Sequence, residues 1–255
     1  MNSAHANGAP HWFELATPDP AGADAFYTGL FGWTADASAI AGGYTVFRLG
    51  GREVAGAYAL RAQGVPPGWG VYFGVADVDA AAARVVAGGG RVIVPPFEAG
   101  GHLRAAACAD PEGAVFLLAQ PRGHAGAAAL REPGAVCWTE LATRDLDRAQ
   151  AFYGDVLGWT VQPHHASPPT VYRIFANADG MLGGFLAMTP EWGPMPSHWA
   201  LYVQVEDVDA VAVRAQALGG RLVFPAFDAP QVGRIARIED PAGLGFYVIR
   251  FVDPA

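Results

Sequence analysis

The chain has 255 residues, 52% of them hydrophobic, and 16 basic against 24 acidic residues leave a formal charge of −8. That charge makes nucleic acid and anionic membranes poor partners, and no apolar run reaches the roughly 18 residues that would suggest a membrane span. Residues 1–9 lack both a basic head and an apolar centre, so a short flexible lead-in, no secretory signal and a cytoplasmic chain are expected. Two cysteines, Cys108 and Cys137, have no metal-ligand spacing and read as buried small hydrophobes in a reducing compartment.

The first patterned stretch runs from Trp12 to Trp33, WFELATPDPAGADAFYTGLFGW. Its first half alternates as a strand does, and its second half carries apolar residues at helical spacing behind Asp19, which stands where an N-cap belongs. Two apolar stretches follow, Tyr44 to Leu49 and Val54 to Leu60, and Gly50-Gly51 between them predicts a hairpin. A second unit then runs from Trp69 through a helix capped by Asp77, a glycine stop at Gly89-Gly90, and strands ending near Gln120.

Everything then recurs. Trp138 to Trp159 repeats the first stretch at an offset of 126, with Glu140 matching Glu14 and Tyr153 matching Tyr27. An offset of 130 links the second unit to its copy, Trp69 to Trp199 and Asp77 to Asp207. The chain therefore reads as α+β, four strand-helix-strand-strand-strand units forming two tandem domains, each burying its own core. The expected bounds are 10–121 and 135–252, with a small-residue linker at 122–134.

The Asp-x-x-x-Ala-x-x-Phe-Tyr helices ending in Gly-Trp, the Val-x-Asp-Val-Asp-Ala entries and the Asp-Pro-x-Gly hairpins at Asp110 and Asp240 together resemble the vicinal oxygen chelate superfamily of glyoxalase, bleomycin-resistance and extradiol dioxygenase proteins. The tandem arrangement is similar to actinobacterial two-domain members, some of which belong to antibiotic pathways. The resemblance implies curved sheets forming cups, and in the metalloenzymes a divalent ion held by His, Glu or Gln from paired strands. Here Trp12, Gly70, Leu117, Trp138, Ala200 and Tyr247 fall at the ligand positions, and none is a usual ligand, so no metal and no other cofactor is expected.

Glu14 and Glu140 lie two residues beyond the tryptophans, which turns them to the same inward face. Each is either an acid-base group with a raised pKa or a glutamate bonded within the sheet to a tyrosine or an arginine, with Arg48 and Arg173 as candidate partners. His198 shares that inward parity and is the third catalytic candidate. Trp12, Tyr58, Tyr72, Trp138, Phe185, Tyr202, Gln204 and Tyr247 are the expected lining of apolar cups suited to a flat aromatic ligand. Gly68, Gly74 and Leu117 of the first half become His198, Gln204 and Tyr247 in the second, which favours the second cup as the better-formed pocket. The functional expectation is a metal-independent protein binding an aromatic or polycyclic small molecule, for resistance or for presentation to a pathway enzyme. The alternatives are a cofactor-independent isomerase, cyclase or hydroxylase using Glu14 or Glu140, and a stress protein without turnover.

Overall fold

The computed structural model describes residues 7–37, 43–60, 65–164 and 170–252. The first half contains β1 (Asn7–Thr17), α1 (Pro20–Phe31), β2 (Thr34–Ala37), β3 (Tyr44–Leu49), β4 (Arg52–Ala59), β5 (Gly68–Val75), α2 (Val78–Ala87), β6 (Arg91–Ala99), β7 (Leu103–Ala109) and β8 (Val115–Pro121). The second contains β9 (Val136–Thr143), α3 (Leu146–Leu157), β10 (Thr160–His164), β11 (Tyr172–Asn177), β12 (Gly180–Ala187), β13 (His198–Gln204), α4 (Val208–Ala217), β14 (Arg221–Leu222), β15 (Phe227–Ala229), β16 (Gly233–Glu239) and β17 (Gly245–Phe251). Of the expected lead-in, residues 1–6 lie outside the described residues, and residues 7–9 already belong to β1.

Local chemistry explains the element ends. The carboxylates of Asp19, Asp77, Asp145 and Asp207 accept backbone N–H bonds from the first turns of α1, α2, α3 and α4. Gly32 and Gly158 end α1 and α3 at φ 70° and 75°, the left-handed region that glycine enters without a Cβ penalty. Each half forms one mixed sheet, ordered β2-β3-β4-β1-β5-β8-β7-β6 and β10-β11-β12-β9-β13-β17-β16-β14, with β15 paired to β16. Among the described residues, no helix is long and apolar enough to cross a membrane.

The helix-side faces of the two sheets do not bury separate cores, contrary to the expectation from the repeat. One continuous cluster joins Phe26, Tyr27 and Phe73 of the first half to Phe152, Tyr153, Trp199 and Phe246 of the second. β5 meets β13 directly, with the Phe73 ring 5.0 Å from that of Trp199, while α1 packs on α4 and α2 on α3. The buried polar groups here are satisfied reciprocally across the halves. The Tyr27 hydroxyl receives the Trp69 indole N–H at 3.0 Å and donates to Asp240 at 3.2 Å; Tyr153 receives Trp199 at 3.0 Å and donates to Asp110 at 3.1 Å. Trp33 donates to the Gly134 carbonyl and Trp159 to the Gly8 carbonyl, another exchanged pair. Arg84 reaches the Val156 carbonyl and Arg214 the Leu30 carbonyl in the same crossed fashion. Asp110 and Asp240 thus serve two functions, because each also accepts two backbone N–H bonds that shape its own hairpin. Cys108 and Cys137 are buried and free.

Candidate functional site

The face of each sheet turned away from the helices forms the cup, and a carboxylate sits at the centre of both. In the first cup the Tyr72 hydroxyl donates to Glu14 at 2.5 Å, while the Trp12 indole donates at 2.8 Å to the hydroxyl of Tyr44, which approaches the same carboxylate. In the second cup Tyr202 donates to Glu140 at 2.8 Å, and Trp138 donates at 2.8 Å to Tyr172, which again approaches the glutamate. The strand ladder makes this arrangement possible, since Gly56 is the register partner of Glu14 and Gly184 of Glu140. A Cβ on either glycine would stand 2.0 Å from the tyrosine hydroxyl, so the phenols of Tyr44 and Tyr172 cross the sheet through the space a side chain would fill.

Burial raises the pKa of Glu14 and Glu140, and the tyrosine hydroxyls beside each carboxylate partly offset this by stabilising its charged form. Each cup holds one further tyrosine within the field of its glutamate, taken from different strands. Tyr58 on β4 serves the first and Tyr247 on β17 the second, and burial followed by the negative carboxylate pushes both phenols up to about 12. The Tyr247 ring stacks on Tyr202 at 4.6 Å and 14°. Of the two readings of the glutamates, the geometry realises bonding to tyrosine. Arg48 instead pairs with Asp36 and Glu53, and Arg173 with Asp147 and Gln150.

Most expected lining residues do reach the cups, with one correction. Phe185 is fully buried on the opposite face, among Tyr153, Trp159 and Phe175. Its neighbour Leu186 is the register partner of Tyr172, as Tyr58 is of Tyr44. A one-residue difference in counting inverts the face of a strand residue. Gln204 ends β13 opposite Ile249, two residues from Tyr202 on the same face. His198 pairs with Ala142, and its Nδ1 lies 2.9 Å from the Pro196 carbonyl, which can only accept, so Nδ1 carries the proton. Burial and the nearby Arg237 lower the His198 pKa, with the Pro196 bond opposing them.

Arg237 itself escaped the sequence reading. It is the register partner of Tyr247 and therefore faces the second cup. Comparing the copies at the 130 offset would have found it, because Ala107 stands at the same place in the first half.

The donors do not fit a family-type divalent ion. Among the described residues no three His, Cys, Asp or Glu side chains converge on a common point, and each cup centre offers one carboxylate already engaged by a tyrosine. A separate open pocket of about 310 Å³ lies at the seam between β1, β9 and the β11–β12 turn. Trp138 borders it, but neither glutamate does.

Comparison with known proteins agrees with this architecture. The family model of the glyoxalase/bleomycin resistance protein/dioxygenase superfamily matches residues 9–118 and again 135–248. Mycobacterium tuberculosis CFP32, which carries a provisional glyoxylase name, is 38% identical over 254 residues, covering 97% of both chains. The anthracycline biosynthesis protein DnrV of Streptomyces peucetius is 38% identical over 264 residues, covering 96% of this chain and 94% of the relative. The Mn(II)-bound glyoxalase of Novosphingobium aromaticivorans superposes with a TM-score of 0.67 at 16% identity, over 97% of this chain and 83% of that one, a likeness of fold. With two family matches on two sheets of the same topology, the chain belongs to the glyoxalase/bleomycin resistance protein/dioxygenase superfamily.

Proposed function

We propose that this protein is a metal-independent, glyoxalase-like member of secondary metabolism that holds an aromatic or polycyclic small molecule in its second cup, as an accessory or self-resistance factor. The observation carrying the reading is the Trp138–Tyr172–Glu140–Tyr202 network with Tyr247 stacked beside it, occupying the region where the family's metalloenzymes keep their ion. Aromatic faces provide stacking area, and the glutamate accepts a ligand hydroxyl. The relatives named for anthracycline biosynthesis suggest the probe, a hydroxylated anthraquinone. Titration followed by tryptophan quenching should give saturable binding that EDTA leaves unchanged. Glu140→Ala and Tyr247→Phe should weaken it by about tenfold or more, near 1.4 kcal/mol, while Glu14→Ala should not. Equal losses from both halves, or binding restored only by added metal, would overturn the reading.

A second reading, cofactor-independent proton transfer, is favoured by one observation: Glu140 is a buried carboxylate with a raised pKa, flanked by tyrosine hydroxyls. It requires Glu140→Gln to abolish turnover of a pathway compound while leaving its binding intact.

A further inference from the structure

Among the described residues, Arg237 is the one arginine that is neither exposed nor engaged in a hydrogen bond or an ion pair. Its side chain is half-buried and its five donors meet no protein acceptor, which leaves them to solvent or to a ligand. Its surroundings are shaped to hold it. The guanidinium lies over Gly245, whose added Cβ would stand 3.3 Å from one terminal nitrogen and 3.5 Å from Nε. In the first half the corresponding positions are Ala107 and Val115. The larger residue at one position thus accompanies loss of the side chain at the other, a matched exchange that clears space for the arginine.

The sheet register sets what faces Arg237. Tyr202 of β13 pairs with Tyr247 of β17 in parallel, and two residues earlier on these strands stand Ala200 and Gly245. Ala200 pairs in turn with Glu140. A row therefore runs across four strands from Glu140 over Ala200 and Gly245 to Glu239, which is paired with Arg221, and the Arg237 guanidinium, from one step along β16, reaches into this row over Gly245. Its open floor is Ala200, and Glu140 and the guanidinium over Gly245 stand on the order of 10 Å apart along the sheet, two interstrand spacings. Tyr202 and Tyr247 border this row on one side, and His198, close enough to feel the Arg237 charge, stands on the other. The first cup lacks the row. There Leu117 leans over Gly70, its Cδ1 2.7 Å from where a Cβ would be, and no cation stands at Ala107.

From this juxtaposition we propose that the second cup is selective for an acidic planar molecule, one whose carboxylate or other oxyanion pairs with Arg237 while a hydroxyl at its far end meets Glu140. The proposal rests on the ligand-binding reading above and adds the charge class and orientation of the ligand. An oxyanion supplies what the guanidinium lacks, two acceptors in one plane. The neutral ring system lies over Ala200 against the tyrosine pair, with its oxyanion end at the guanidinium that covers Gly245.

The test uses the full-length protein with two probes of equal shape, anthraquinone-2-carboxylate and anthraquinone-2-carboxamide, titrated by tryptophan quenching at low and moderate salt. The carboxylate should bind about tenfold or more tightly, with an advantage that shrinks as salt rises. Arg237→Gln should erase that preference and leave carboxamide affinity unchanged. The melting temperature should hold in this variant, since Arg237 has no protein partner to lose, and Arg237→Lys should restore part of the preference. Both probes binding equally in the native protein, or a preference that survives Arg237→Gln, overturns the anion assignment while leaving aromatic binding intact. Failure of both probes to bind overturns the two readings together.

Discussion

Gly184→Ala is the sharpest perturbation of the candidate site. The three atoms nearest the new methyl all belong to the Tyr172 ring end, at 2.0, 2.2 and 2.4 Å, far inside van der Waals contact. That ring end can swing, so the cost lies in what the phenol surrenders when it moves: the 2.8 Å bond from Trp138 and its approach to Glu140. Adding overpacking to the lost bond gives about 2–4 kcal/mol. A double-mutant cycle in urea, followed by tryptophan fluorescence, isolates the cause. In a Tyr172→Ala background the methyl meets no ring, and Gly184→Ala should become neutral or stabilise by up to about 1 kcal/mol, because alanine restricts the unfolded chain. An equal cost in both backgrounds would refute the account and locate the strain in the strand itself.

Tyr153→Phe removes a buried hydroxyl that both accepts from Trp199 and donates to Asp110, so urea midpoints should reveal a loss of about 1–3 kcal/mol. Tyr27→Phe should match it within error, and unequal losses would contradict the reciprocity of the interface. The pKa of Glu140 is raised in the folded state, so its favourable contribution is fully present below the unfolded value of about 4.3 and is lost as pH rises through the folded value. Glu140→Gln should therefore gain stability relative to the native protein across that window, and a pH-independent difference would refute the assignment. The pKa of His198 is lowered, which reverses the sign: its contribution is present above about 6.5 and is lost as pH falls from there toward the folded value. His198→Asn should flatten that part of the stability profile, measured by chemical unfolding between pH 5 and 7.5 (on the order of the window named by the unperturbed value). Residues 1–128 and 129–255 expressed as separate chains should associate when mixed, seen by size-exclusion chromatography, because each exposes half of a shared core; two stable non-associating monomers would argue against it.

The sequence reading succeeded where information was local or repeated. Four Asp caps, glycine turns and the 126 and 130 offsets specify strands and helices without reference to anything distant, and two-residue parity suffices to turn Glu14 and Glu140 inward. It failed where neighbours come from different strands. Tyr44 reaches Glu14 only because Gly56 across the ladder lacks a side chain, and nothing in the order of residues marks those two as partners. Phe185 was misplaced by one residue: the register pairs Tyr44–Tyr58 and Tyr172–Leu186 make Leu186 the counterpart of Tyr58, and a count that is off by one inverts the face. Arg237 went unnoticed because an arginine on a strand reads as a solvated edge until its lack of a partner is seen. The shared core was hidden for another reason: a duplication reveals that two segments are alike and is silent on whether their apolar faces meet each other.

The crossed tyrosine–aspartate, tryptophan–glycine and arginine–carbonyl bonds have the form of an isologous contact, the kind two identical subunits make about a two-fold axis. A history follows from that form. In a homodimer every substitution is made twice, so a change that improves one cup is imposed on the other, and a residue cannot serve folding in one copy and chemistry in the next. Joining the copies into one gene removes that constraint while retaining the contact that holds them together. The two cups are accordingly free to differ, with Leu117 over Gly70 in the first and Arg237, Gly245, His198 and Tyr247 in the second, each present in a single site. In this protein, fusion would have turned a symmetric scaffold into one half that supports and one half free to specialise.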